Sequence, residues 1–245
     1  MHGWRGKIAT MIPAGNCTME PEAYMIAPKG VAFYFAGMAG ERGGLDVEGL
    51  TSQNEHIPEC TYELKRYRPD IIVYGCTSGS LILGVDYDRE IIKQIEDCIA
   101  SPPRPMSGIK VTTTSTAVID ALRKLNITSV AVATPYPEIT NQKEKEFLEG
   151  HGFKVTNIEG LPSPEGISIH RPEEAYRLAR KVDSERNDGI FISCTNFRTL
   201  EIIDTLEEDT EKPVVTSNQA TFWQALRMIG VNAKMQGFGK LFREF

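Results

Sequence analysis

The sequence predicts an α/β protein of two homologous lobes, each built on a parallel, flavodoxin-like sheet. The lobes would be related by a pseudo-twofold axis, with the active site in the cleft between them. Three observations predict this. Short β-branched runs alternate with longer amphipathic stretches, the pattern of βαβ units. Most of the short runs are apolar throughout instead of alternating, as strands covered on both faces are. The chain also repeats itself: "DIIVYGCTSGS" from Asp70 returns as "DGIFISCTNFRT" from Asp188, and "VTTTSTAVIDALRKLNI" (111–127) returns as "VTSNQATFWQALRMIGV" (215–231).

The expected strands cover 7–13, 30–36, 70–75, 109–113, 129–134, 153–158, 188–193 and 213–217. Helix-like stretches lie between and after them, near 19–27, 46–67, 79–99, 115–126, 138–150, 172–186, 197–208 and 219–229. A strand running into Pro occurs once in each half ("ATMIPAGN", "AVATPYPE"). The two Cys-Thr pairs are 118 residues apart and the later repeat segments 104, so the first half carries an insertion of 14 between Cys76 and Val111, where "SPPRPMSG" lies. The lobes are read as 1–115 and 116–230, with 231–245 packing back over the first. No low-complexity linker separates them, so they should pack tightly.

Composition narrows the function. A formal charge of −6 without a basic cluster argues against nucleic acid as a partner. The N-terminus lacks the apolar core of a signal peptide, and no run of about 18 apolar residues occurs, so a soluble cytoplasmic protein without a membrane partner is expected. The 5 cysteines (Cys17, Cys60, Cys76, Cys98, Cys194) are odd in number and never form a CxxC pair, which leaves neither a disulfide framework nor zinc-ligand spacing. His2, His56, His151 and His170 form no paired metal motif, and no metal or other cofactor is expected. "GMAGERGG" (37–44) lacks P-loop and GxGxxG spacing and reads as a loop able to lie over the cleft. "EEDTEK" (207–212) reads as a solvated helix end, and Phe222 and Trp223 as core or interface.

Cys76 and Cys194 are the candidate catalytic pair. Each ends a predicted strand, where ligands of open parallel sheets bind. Each is followed by residues suited to capping a helix, Thr77-Ser78 and Thr195-Asn196, so backbone N–H groups and a helix dipole should favour the thiolate and an anionic substrate. A lone strand-end cysteine is ordinarily packing; two at matching places of a repeat point to chemistry. Cys60 and Cys98, in helical stretches, read as structural, whereas Cys17, after Asn16 in the first strand-to-helix loop, could reach the cleft.

The stretches "IPAGNCTMEPE" (12–22), "YGCTSGS" (74–80), "ATPYPEITNQKEKEFLEGHGFKV" (133–155) and "ISCTNFRT" (192–199) resemble the Asp/Glu/hydantoin racemase superfamily, nearest its maleate cis-trans isomerase and arylmalonate decarboxylase branch. The resemblance spans the whole chain. It implies cofactor-independent chemistry on a small carboxylic acid, with one catalytic cysteine from each lobe, Cys76 and Cys194. It also implies substrate contacts from Asn16, Thr77, Ser78, Tyr136, Thr195 and Asn196, and a homodimer. Maleate isomerisation through a Cys76 adduct is the leading reading. The alternatives are a two-thiol racemase, a decarboxylase, which needs only Cys194, and a non-catalytic carboxylate binder, whose thiols would alkylate sluggishly. Where the family often supplies an Asn, the loop "LPSPEGISIHRPEE" (161–174) offers Ser163, Ser168 and His170, and "CTNFRT" resembles ectoine-utilisation relatives as well. The loop 161–170 and segment 100–108 are the expected specificity elements.

Overall fold

A computed structural model describes residues 2–39, 44–163 and 165–245. All eight expected strands form. β1 (Gly6–Pro13), β2 (Val31–Met38), β3 (Ile71–Tyr74) and β4 (Lys110–Thr113) make one parallel sheet in the order β2-β1-β3-β4. β5 (Ser129–Thr134), β6 (Lys154–Gly160), β7 (Gly189–Ile192) and β8 (Val214–Thr216) make the second in the same order, β6-β5-β7-β8. The repeated Asp has a structural purpose. Asp70 accepts the backbone N–H of Lys7 at 2.8 Å and Asp188 that of Ser129 at 2.9 Å, so each ties the start of the third strand of its sheet to the first.

The helices are α1 (Met19–Ile26), α2 (Val47–Asn54), α3 (Ile57–Leu64), α4 (Thr77–Leu81), α5 (Tyr87–Ala100), α6 (Thr114–Lys124), α7 (Glu138–Gly150), α8 (Pro172–Val182), α9 (Ile203–Thr210), α10 (Ser217–Met228) and α11 (Gly239–Glu244). Two long predicted helices are each broken in two. The 46–67 stretch divides into α2 and α3, with Pro58 in the first turn of α3, where its missing N–H is harmless. The 79–99 stretch divides at Gly84, whose φ of +125° suits glycine and not a helix. The first-half insertion falls within α4, α5 and the loop that follows, where the second half has only a single-turn 3-10 segment and α9.

The lobes share a core. Residues of β1, β3 and α1 belong to the same buried apolar cluster as those of the second sheet, and Phe33 meets Phe222 edge-on at 5.3 Å between centroids. The symmetry-related helices α6 and α10 pack together, joined by Thr221 to Thr114 at 3.1 Å and Gln224 to Asp120 at 2.5 Å. Each begins at a threonine cap: Thr113 accepts from Thr116 N–H and Thr216 from Gln219 N–H. Phe222 is fully buried on α10 and Trp223 nearly so.

Two expectations are corrected. Val231 does reach toward Gly6 of β1, but the helix of the C-terminal segment, α11, packs on α9 and β8 of the second lobe. Asp204 accepts Gly239 N–H there, and Glu207 that of Lys240, both at 2.7 Å. Segment 100–108 leads into the amino end of β4, opposite the carboxyl ends where ligands bind, and so cannot select a substrate directly. Residues 40–43 of the glycine-rich stretch lie outside the described residues. No helix among the described residues is long and apolar enough to cross a membrane.

Candidate active site

Cys76 and Cys194 follow β3 and β7, the equivalent third strands of the two sheets, and line one cavity of about 360 Å³. Its wall also takes in Asn16, Gln53, Ser78, Tyr136, Ser163 and Ile167, with Leu45 and Leu50 supplying an apolar side. Thr195 and Asn196 complete it. A neighbouring groove of about 460 Å³ along Pro135–Pro137 and Gly160–Ser163 shares Leu45, Tyr136 and Ser163 with it but holds neither thiol.

Cys76 is itself the N-cap of α4, in place of the Thr77-Ser78 expected from the sequence. Its backbone is extended (φ −143°, ψ 116°), and its sulfur accepts Gly79 N–H at 3.3 Å. A side chain at Gly79 would place Cβ 2.2 Å from the Tyr74 hydroxyl and 3.0 Å from the Cys76 sulfur, so glycine is what lets this N–H approach. Behind the sulfur, the buried Tyr74 hydroxyl donates to Asn54, with Gln53 Nε2 3.5 Å away. Asn54 in turn donates to Gly79 O at 3.0 Å, holding α2 against α4.

Cys194 is placed differently. No helix starts at it: Thr195 and Asn196 lie in a turn, and helical geometry resumes only at Leu200. Its φ is +92°, unusual for a side-chain-bearing residue and a source of local strain. Three contacts hold that geometry. Cys194 N–H donates to Ser217 Oγ at 3.0 Å, Asn196 N–H reaches the Cys194 sulfur at 3.4 Å, and Thr195 donates to Gly75 O at 3.2 Å.

Burial opposes the thiolate at both cysteines, against the expectation from helix dipoles. It pushes the Cys76 thiol up, opposed by Gly79 N–H, Gln53, Ser78 and Tyr74. Burial pushes Cys194 up to about 12, opposed by Asn196 N–H and Tyr136, with Cys76 and Glu144 adding to the rise. Glu144 on α7 is fully buried and pushed up to about 8 by burial; Ser193, next to Cys194, donates to it at 2.5 Å, and its other oxygen has no hydrogen-bond partner among the described residues. Glu22 on α1, pushed up to about 7 by burial, accepts from Thr199 and Leu200 N–H and from Asn218 across the lobe boundary.

Of the residues singled out from the sequence, Asn16, Cys76, Ser78, Tyr136, Cys194, Thr195 and Asn196 meet in the cavity. Asn16 is also a cap: its carbonyl oxygen accepts Thr18 and Met19 N–H, both at 3.0 Å, while its amide donates to Thr195 at 3.0 Å. Thr77 is the departure. Its hydroxyl donates at 2.9 Å to Ser217, the group that also receives Cys194 N–H, so it links the two thiol loops and does not line the cavity. Cys17 is exposed and absent from the wall, its N–H held by Asn196 at 3.1 Å. Cys60 and Cys98 lie in α3 and α5. Ser163 lines the cavity, with His170 behind it at 2.8 Å.

Sequence reasoning missed Gln53 and Tyr74. The available signal was a glutamine on the buried face of an amphipathic stretch and a hydroxyl-bearing aromatic at the end of an apolar strand. Among the described residues, no three His, Cys, Asp or Glu side chains converge as metal ligands would.

The profile of the arylmalonate decarboxylase family matches residues 8–242. The chain belongs to this family. Among individual relatives, the maleate isomerase of Nocardia farcinica is 24% identical over 97% of this chain and 96% of its own. The arylmalonate decarboxylase of Bordetella bronchiseptica is 28% identical over 96% and 93%. A solved structure of a cysteine-to-serine variant of the N. farcinica maleate cis-trans isomerase, with a covalently bound succinylcysteine intermediate, superposes with a TM-score of 0.89 at 22% identity, covering 98% of this chain and 99% of that one. That likeness is one of fold.

Proposed function

We propose that this member of the family is a cofactor-independent maleate cis-trans isomerase, with Cys76 as nucleophile and Cys194 as proton carrier. The observation that carries the reading is the pair of buried thiols, one from each lobe, in one small cavity with unequal sets of donors. Cys76, with four groups favouring its anion, is the thiol better able to enter as thiolate. Its sulfur adds to an alkene carbon of maleate. The C–S bond forms as the π bond opens, and the electron pair moves into the adjacent carboxylate as an enediolate. Ser78, Asn16, Tyr136 and the Thr195-Asn196 turn surround that charge with donors.

The central bond is now single and turns. Cys194, which keeps its proton, delivers it to the carbanionic carbon and takes one back before Cys76 leaves, releasing fumarate with no net gain or loss of protons. The succinylcysteine in the N. farcinica protein is the kind of adduct this sequence of steps contains. An arylmalonate-type decarboxylase needs one thiol to protonate an enediolate, so the second thiol here favours isomerisation. The reaction calls for no metal or organic cofactor, and reduced thiols suit the cytoplasm. Size-exclusion chromatography with light scattering tests the homodimer that the resemblance implies.

Incubating freshly reduced protein with maleate in D2O and following the vinyl signal by NMR tests the reading. Fumarate should form with the unmodified protein and not with Cys76→Ser, and deuterium in the product would report the Cys194 transfer. If reduced, folded protein forms no fumarate, maleate is not the substrate.

A further inference from the structure

The described residues that line the cavity include no Lys, Arg or His, although the substrate proposed above is a dianion. Among these described residues, compensation for a carboxylate's charge comes from hydrogen bonds or from a proton. At the cavity edge Ser163 Oγ lies 2.8 Å from His170 Nε2, and His170 Nδ1 lies 3.4 Å from Glu174 Oε1. We propose that His170 sets the direction of the Ser163 hydroxyl, so that Ser163 becomes a donor to the second substrate carboxylate when His170 takes up a proton. Dicarboxylate binding is then coupled to proton uptake. This inference rests on reading the cavity as a dicarboxylate site.

The argument is one of donors and acceptors. Glu174 Oε2 accepts Arg171 N–H at 2.8 Å, and the carboxyl is held below the usual range by that N–H first and by His170 next. An ionised Glu174 can only accept, so His170 Nδ1 carries a hydrogen. In neutral His170, Nε2 is then a bare acceptor, and Ser163 must donate to it, leaving only oxygen lone pairs toward the cavity. A carboxylate placed there meets like charge. When His170 is protonated, Nε2–H donates to Ser163 and the hydroxyl hydrogen is freed. Besides the cavity it has Pro135 O at 3.3 Å and Leu161 O at 3.2 Å as acceptors; a carboxylate is stronger than either.

His170 is buried, so its charge acts through a medium that screens it less than water does. The groups around it are Glu174 on α8 with Arg177 acting on that carboxyl, the adjoining Arg171, Ser163, and the Phe197 ring from the Cys194 loop, edge-on at 5.8 Å. Phe197 does not titrate, so Glu174 is the charge that meets the imidazole directly. The arrangement makes His170 a positioning residue: it acts on substrate through Ser163.

The test uses the whole protein with succinate, a dicarboxylate lacking the reactive double bond, and propionate as the monocarboxylate control. Calorimetry in buffers of different ionisation heat should show about one proton taken up per succinate at pH values where free His170 is neutral, with affinity falling about tenfold per pH unit there. Propionate, held at the thiol side, should show no such uptake. The His170 ring-carbon signal, assigned in the native protein through its contact with the Phe197 ring, should take up its proton at higher pH with succinate bound than without it.

Succinate binding with no proton uptake and an unmoved His170 titration overturns the inference. Fumarate formation from maleate alongside that result would leave the isomerase reading standing. Proton-linked succinate binding without any turnover of maleate would do the reverse. If neither dicarboxylate binds, both fail.

Discussion

Cys76 and Cys194 stand at the same place in the two lobes, yet their surroundings have diverged. Cys76 has regular extended backbone, caps a short helix with its own sulfur, and is backed by Tyr74, Asn54 and Gln53. Cys194 has a positive φ, no helix behind it, and neighbours in Glu144 and Cys76 that make its anion costlier. The residues behind each sulfur thus differ, and the difference suits the proposed division between a nucleophile and a proton carrier. A two-base racemase exchanging roles between its thiols has less need of such a difference; a nucleophile paired with a proton carrier is served by it.

The largest effect expected is on turnover. Cys76→Ser should lower the rate of fumarate formation by about 10⁴-fold or more, because no adduct can form, while Cys194→Ser should lower it by about 10²–10³-fold. NMR rate measurements on both variants check the ranking, and equal losses would abolish the assigned division of labour. Gly79→Ala comes next. Its Cβ would press on the Tyr74 hydroxyl and displace the N–H that supports Cys76, lowering the rate by about 10–100-fold and stability by about 1–3 kcal/mol, the latter read by denaturant titration.

Alkylation sharpens the comparison without mutagenesis. Iodoacetamide should modify Cys76 at lower pH than Cys194, whose rate should still be climbing about tenfold per pH unit well above pH 9 because its thiol is pushed up to about 12. Peptide mass mapping reads the order, and earlier labelling of Cys194 would reverse the assignment.

The smallest effect is on stability. Glu144 is raised in the folded protein to about 8 from an ordinary 4.5, so folding favours its proton. The contribution is fully present below about pH 4.5 and is lost as pH rises through about 8. Glu144→Gln keeps a partner for Ser193 and removes the ionisation, so melting curves should lose that part of their pH slope. Glu22, raised to about 7, leaves a smaller slope of the same sign below neutrality.

Much of this was written in the local sequence. Eight apolar runs became eight parallel strands, and the repeated "Asp…Cys-Thr" phrase became two matching third strands with a tying carboxylate at one end and a thiol at the other. Strand burial and strand ends follow from residue type and spacing, which act over a few residues at a time. What surrounds each sulfur does not. Gln53 comes to Cys76 from α2, Ser217 to Cys194 from α10, and His170 to Ser163 from beyond a 3-10 turn. Those approaches depend on how helices pack across a shared core. So do the burial that turned both thiols away from the expected thiolate and the side on which α11 came to rest. Desolvation and donor geometry are properties of assembled surroundings, and only the tertiary structure decides them.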